Sequence, residues 1–182
     1  AKEWINSLSK NCELYFDINW SLRKLWLPIF GRSLKTNFKP LDVIYASVAT
    51  RDIFEILKSK RIGVIGADEK LKLIQDITNY SEYLDYLGLQ EGFRSLLPVP
   101  QIGSCNEVQK LEISLRELIL KNPCDVYLVG MGISKIWILP RLAERTGRLF
   151  IDIGSGIDAI AGLIPHDRPW FGSWVNYRTS VF

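Results

Sequence analysis

The sequence predicts an α/β fold in which a doubly wound, mostly parallel sheet is flanked by helices within a single domain. Three observations predict it. From about residue 40 onward, short β-type runs alternate with longer helical patterns, as repeated βαβ units require. Several runs are near-continuous in valine, isoleucine and leucine, as strands covered on both faces must be. Three of the run ends pass into glycine beside charged or hydroxyl residues, and in an open parallel sheet that is where ligands bind.

Five strands are expected: Asp42–Ser47, Arg61–Gly66, Ser95–Val99, Asp125–Gly130 and Leu149–Ile153. The third is weakened as a strand by Pro98. Helices are expected over Arg51–Lys60, Glu69–Leu87, Asn106–Lys121 and Ser134–Thr146, where apolar residues recur at helical spacing, as in Val108, Leu111, Leu115, Leu118 and Ile119. Gly88 and Gly147 suit helix C-termini, and Asn122-Pro123 stops the helix before it.

Residues 41–182 make up the predicted domain, and residues 1–40 form a flanking segment rich in tryptophan and basic groups, including Trp20, Arg23, Lys24 and Trp26. That segment either covers one flank of the sheet or makes a peripheral membrane contact through its interleaved aromatic and basic residues. The chain opens at Ala1 without a methionine and stops just after an aromatic run, so it reads as a piece of something longer.

A chain of 182 residues buries roughly 70% of its unfolded surface, enough for a core without staples. Its 47% hydrophobic and 24% charged residues are ordinary for a globular protein. The net charge of +3 is small and the basic residues are scattered, which argues against a nucleic-acid partner. Cys12, Cys105 and Cys124 show neither an even count nor metal-ligand spacing, and they read as reduced thiols. With no run of about 18 apolar residues and no signal peptide, the expected location is the cytoplasm.

The chemistry should sit after the second, fourth and fifth strands, at Gly66-Ala67-Asp68-Glu69-Lys70, Gly130-Met131-Gly132-Ile133-Ser134-Lys135 and Gly154-Ser155-Gly156-Ile157-Asp158. Glycine lets the backbone approach a ligand, and the first turn of the next helix offers free N–H groups to a phosphate. Gly66, Gly130, Gly132, Ser134, Lys135, Gly154, Ser155 and Gly156 are therefore candidate nucleotide or phosphate contacts. The alternative is a set of plain tight turns. Neither a complete GxGxxG nor a GK[ST] motif is present.

Asp152 lies inside an otherwise apolar strand, and a buried carboxylate must be paired, hydrogen-bonded or metal-bound. Asp158, six residues on, is the candidate general base, with helix N-terminal charge compensation as its alternative. Asp68 and Glu69 are candidate metal ligands, although acids at a helix start also favour the helix dipole. His166, the single histidine, reads as a surface loop residue. Further on, Arg168, Trp170 and Trp174 combine a phosphate-gripping cation with rings on which a sugar could stack, or they cover the last strand.

Over Cys124–Gly132 and then Phe150–Asp158 the sequence resembles the C-terminal half of the GT-D-type glycosyltransferases. The resemblance runs over residues 42–165 and is specific over 124–158. It implies a Rossmann-like sheet, a nucleotide-diphosphate sugar such as a UDP-sugar as donor, a divalent cation (manganese or magnesium) as cofactor, and a glycan or glycoprotein acceptor in polysaccharide biosynthesis. Two departures stand out. The family's Asp-x-Glu metal motif does not occur in this chain, and the histidine that follows Asp-Ile-Gly is Ser155 here, leaving Asp158 as the acid available for the base.

Two other classes fit the same residues. Ile151-Asp152-Ile153-Gly154-Ser155-Gly156 also resembles the first motif of S-adenosylmethionine-dependent methyltransferases, whose motif belongs to the first strand, whereas four predicted βα units precede it here. A non-catalytic nucleotide-binding or scaffold domain would keep the glycine loops and dispense with the metal motif.

Overall fold

The computed structural model describes residues 47, 48 and 51–163. Expectations for residues 1–46 and 164–182 lie outside the described residues. They comprise the flanking segment, the strand over 42–46, and His166, Arg168, Trp170 and Trp174. Ser47, expected to end the first strand, is helical together with Val48.

In chain order the elements are α1 (Asp52–Leu57), β1 (Ile62–Ala67), α2 (Asp68–Thr78), α3 (Ser81–Leu87), β2 (Ser95–Val99), α4 (Val108–Lys121), β3 (Val126–Gly130), a 3-10 turn (Gly132–Ser134), α5 (Lys135–Thr146), β4 (Leu149–Asp152) and α6 (Gly156–Ile160). The strands form a four-stranded sheet of order β2-β1-β3-β4, and every pairing is parallel. This is a Rossmann-like α/β arrangement. From β1 the chain moves outward to β2, and from β2 it crosses back over β1 to β3, so the direction of winding reverses between β1 and β3.

Strand alternation sorts the side chains into two cores. Ile62 and Val64 of β1 and Val126 and Leu128 of β3 face Phe54 of α1, Leu71 and Ile74 of α2, Tyr83 and Leu87 of α3, and Ile157 and Ile160 of α6. Their neighbours Ile65, Leu97, Tyr127 and Val129 face Leu115 and Ile119 of α4 and Ile138 and Leu142 of α5. Because successive strand residues point to opposite faces, an unbroken apolar run supplies both cores at once. That is why all six residues of β1 are buried.

The edge strands of the described sheet are less regular. Pro98 is exposed and pairs in register with Gly66, and a residue without an N–H is tolerated on such an edge. Leu149 of β4 is exposed. The helix expected over Glu69–Leu87 is two helices, α2 and α3, because Tyr80 adopts an extended conformation (φ −96°, ψ 123°). The apolar phase breaks there as well. Leu71, Ile74 and Ile77 keep helical spacing, whereas Tyr83 follows Ile77 by six positions and belongs to a new turn. Gly88 and Gly147 close α3 and α5 in the left-handed conformation, as expected of helix C-caps.

Candidate functional site

At the carboxyl end of the sheet, the loops after β1, β3 and β4 meet. Gly66 and Gly130 are register partners on the two central strands, so two missing side chains lie next to each other at the point where the winding reverses. Ile157 of α6 occupies that space. A Cβ on Gly66 would stand 2.0 Å from Ile157 Cδ1, and one on Gly130 would stand 2.8 Å from both Ile157 Cγ2 and the Gly154 carbonyl oxygen. These two glycines, expected as ligand contacts, admit the protein's own isoleucine.

Three further contacts hold α6 in place. Asp158 forms an ion pair with Lys70 of α2, its Oδ1 shut off from solvent and in ion-pair rather than hydrogen-bond alignment. The buried Tyr83 hydroxyl donates to the Ile160 carbonyl. Gly156 packs closely on Val48 and Ile153, within 3.2 and 3.3 Å of where its Cβ would be. Ser155 begins the turn, its carbonyl accepting the Asp158 N–H at 2.9 Å.

The other side of the sheet end is built differently. Asp152 pairs in register with Val129, and its side chain is turned toward the start of α5, where Oδ2 lies 2.6 Å from Lys135 Nζ. Its Oδ1 accepts the Gly154 N–H at 2.9 Å, fixing the loop that follows β4. The requirement that this strand carboxylate find partners is therefore met twice, by an ammonium and by a backbone amide. Lys135 and Asp152 are both largely buried, with side chains 17% and 10% exposed.

Between β3 and α5, Gly132 adopts the left-handed conformation at φ 65°, and among the described residues no atom beyond its chain neighbours lies within 4 Å of where its Cβ would be. Ser134 is buried and its hydroxyl donates to the Met131 carbonyl at 3.0 Å, which closes the turn. Beside this turn runs an open groove of about 660 Å³, walled by Cys105, Asn106 and Val108 from the start of α4 and by Ile133, Ser134 and Trp137. The Arg141 guanidinium stacks over the Trp137 ring at 3.6 Å from its centroid, a cation–π contact that holds the indole in the groove wall.

Of the predicted residues, Asp152, Gly154 and Lys135 thus come together directly, with Gly132 and Ser134 in the loop beside them. Asp158, Ser155 and Gly156 belong to α6, and with Gly66 and Gly130 they form the packed side. Asp68 and Glu69 open α2, and Asp68 Oδ2 lies 2.6 Å from Lys72 in a solvent-exposed helical pair. Among the described residues, no three histidine, cysteine, aspartate or glutamate side chains gather to hold a metal ion.

One residue escaped the sequence reading, and another was named in it without a role. Lys70, in the run after the second predicted strand, pairs with Asp158; it lies four residues before Ile74 on the buried stripe of α2, so a cation on an apolar face was the available signal. Glu112 is almost fully buried in α4 and bonds to Arg145 of α5 at 3.0 and 3.1 Å. Its spacing with Val108, Leu115 and Ile119 marked it as a carboxylate inside the apolar stripe. No helix among the described residues is long and apolar enough to cross a membrane. Comparison with known proteins finds no matching family model, no matching curated protein and no matching solved structure, so what this chain does must be read from its own residues.

Proposed function

We propose that this domain binds a nucleotide-diphosphate sugar and transfers the sugar to an acceptor hydroxyl of a glycan or glycoprotein. The observation that carries it is the Lys135–Asp152 pair beside the open Gly132 turn. A lysine held in place by a largely buried carboxylate beside a glycine turn offers an anion a fixed cation next to backbone that it can approach closely. As the bond between the sugar and the diphosphate breaks, the leaving diphosphate gains charge, and Lys135 is positioned to offset it. The acceptor oxygen bonds to the sugar carbon and gives its proton to a base. Asp158 is the proposed base, a role that requires the packed α6 side to open and release the Lys70 pair at the transfer step.

One observation favours a second reading, binding without turnover. Asp158 is paired with Lys70 on the packed side of α6, and its side chain is only 15% exposed. Calorimetric titration with uridine or guanosine diphosphate, with manganese present and absent, separates the readings when combined with a transfer assay. Lys135→Ala should weaken nucleotide binding about tenfold, the size of a charge-assisted contact worth about 1.4 kcal/mol. Asp158→Asn should retain binding and lose transfer. Binding without transfer in the parent protein selects the second reading. Binding of S-adenosylmethionine in place of nucleotide, or unchanged affinity in Lys135→Ala, overturns the first.

A further inference from the structure

We infer that the nucleotide sits on the α4/α5 side of the sheet end, its nucleoside in the groove between Cys105–Val108 and Ile133–Trp137 and its diphosphate over the Gly132 turn toward Lys135. The inference rests on the nucleotide-binding reading above and adds which side of the sheet is used. A doubly wound sheet offers its crevice where the winding reverses, here between the ends of β1 and β3. On the α2 side that crevice is filled. Ile157 occupies the space left by Gly66 and Gly130, and α6 is fastened by Lys70–Asp158, by the Tyr83 hydroxyl on the Ile160 carbonyl and by Gly156 against Val48. A ligand there would have to lift α6 and expose Ile157, Ala159 and Ile160, all buried.

The α4/α5 side needs no such displacement. Its groove of about 660 Å³ is shallow and open, and Glu107 and Lys110 line it as well. Trp137, Val108 and Ile133 give it an apolar wall, and the Asn106 amide supplies hydrogen-bonding capacity for a base or a ribose. Ser134 contributes shape only, because its hydroxyl is engaged by the Met131 carbonyl. Ile133 is 69% exposed, a large apolar side chain at the groove mouth. Ile133 and Ser134 of the groove wall lie between Gly132 and Lys135 in sequence, and in the proposed placement a diphosphate extends from the groove past Gly132 toward the Lys135 ammonium.

Cys105 provides the test, since its thiol is exposed at the groove whereas that of Cys124 is buried. In a Cys12→Ser background, alkylation of Cys105 by iodoacetamide is followed by mass spectrometry while nucleoside diphosphate binding is followed by calorimetry. At nucleotide ten times above Kd the free fraction falls about elevenfold, and alkylation should slow by about the same factor. Ile133→Glu, a surface change that spares the core, should weaken binding at least about tenfold by placing a like charge beside the diphosphate. Nucleotide binding with unchanged Cys105 alkylation and normal affinity in Ile133→Glu overturns the placement and leaves the nucleotide reading standing. Absence of any nucleotide binding overturns both.

Discussion

On the α2/α6 side of the sheet, Gly66 and Gly130 leave room that Ile157 fills, whereas on the α4/α5 side Gly132 leaves room that no described atom fills. The residue type is the same, and all three lie near the carboxyl end of a strand, Gly66 and Gly130 within it and Gly132 just beyond. A glycine at a strand end therefore has two meanings, close packing of the protein against itself or access for a ligand, and only its surroundings decide between them. The two buried lysine–aspartate pairs divide in the same way. Lys70–Asp158 fastens a helix over the packed side, and Lys135–Asp152 holds a cation at the edge of the open one.

The largest expected effect separates the two kinds of glycine. In Gly130→Ala the new methyl meets the Gly154 carbonyl oxygen at 2.8 Å, a backbone atom that cannot swing aside, as well as Ile157. Overpacking of this kind should cost about 3 kcal/mol in urea denaturation. Gly132→Ala meets no atom and bears only the left-handed backbone cost, about 1 kcal/mol. Gly66→Ala should fall between them, because its methyl meets the movable end of Ile157, and Ile157→Val should recover part of its loss. Equal costs at Gly130 and Gly132 would dissolve the distinction.

How much of this was legible follows from what kind of information each feature carries. Strands β1 and β3 were readable because burial on both faces forces an apolar run, and the edge strand Ser95–Val99 has the bounds read from the sequence. The break between α2 and α3 was also written in the chain, in the phase slip from Ile77 to Tyr83, although a single helix was expected. Asp152 announced its need for a partner, and Lys135 was expected as a phosphate contact, yet their pairing crosses from β4 to α5 and leaves no local trace. The role of Ile157 was hidden for the same reason. It depends on two glycines, 91 and 27 residues earlier, lying side by side in register.

Tyrosines on the two faces give the next comparison. Tyr83 holds α6 through the Ile160 carbonyl, whereas the Tyr127 hydroxyl accepts the Cys124 N–H at 3.0 Å and donates to the Asn122 carbonyl at 3.3 Å. Tyr83→Phe and Tyr127→Phe should each cost about 1–2 kcal/mol at neutral pH. Of the two, Tyr83→Phe alone should speed hydrogen exchange in α6. Burial holds the Tyr83 phenol well above its usual 10.0 and lifts Tyr127 to about 12. Below pH 10 neither phenol is ionised in either state. As the pH rises from 10 toward 12, the unfolded chain releases protons that the folded chain retains, so stability falls over that window. Each phenylalanine variant should show a shallower alkaline decline, and an unchanged slope in Tyr127→Phe would remove burial as the cause.

The smallest effect belongs to the opposite end of the sheet and serves as a control on the carboxyl end. Before β1 and β3, Asp125 Oδ1 lies 3.0 Å from an Arg61 guanidinium nitrogen, and its Oδ2 accepts the Arg61 N–H at 2.8 Å. The Arg61 side chain, followed by its backbone N–H, lowers the Asp125 carboxyl from 3.8 to about 2. The folded value is depressed, so the contribution is present above pH 3.8 and is lost as the pH falls through about 2. Because the pair is largely exposed, solvent and salt screen it and Asp125→Asn should be only slightly destabilising at neutral pH. Parent and variant should converge in stability by pH 2, and the difference should shrink in high salt. The same variant should bind nucleotide and protect Cys105 like the parent, since nothing at the amino end touches the groove. Loss of binding in Asp125→Asn would mean that the two ends of the sheet are coupled and that the contrast between its two faces is incomplete.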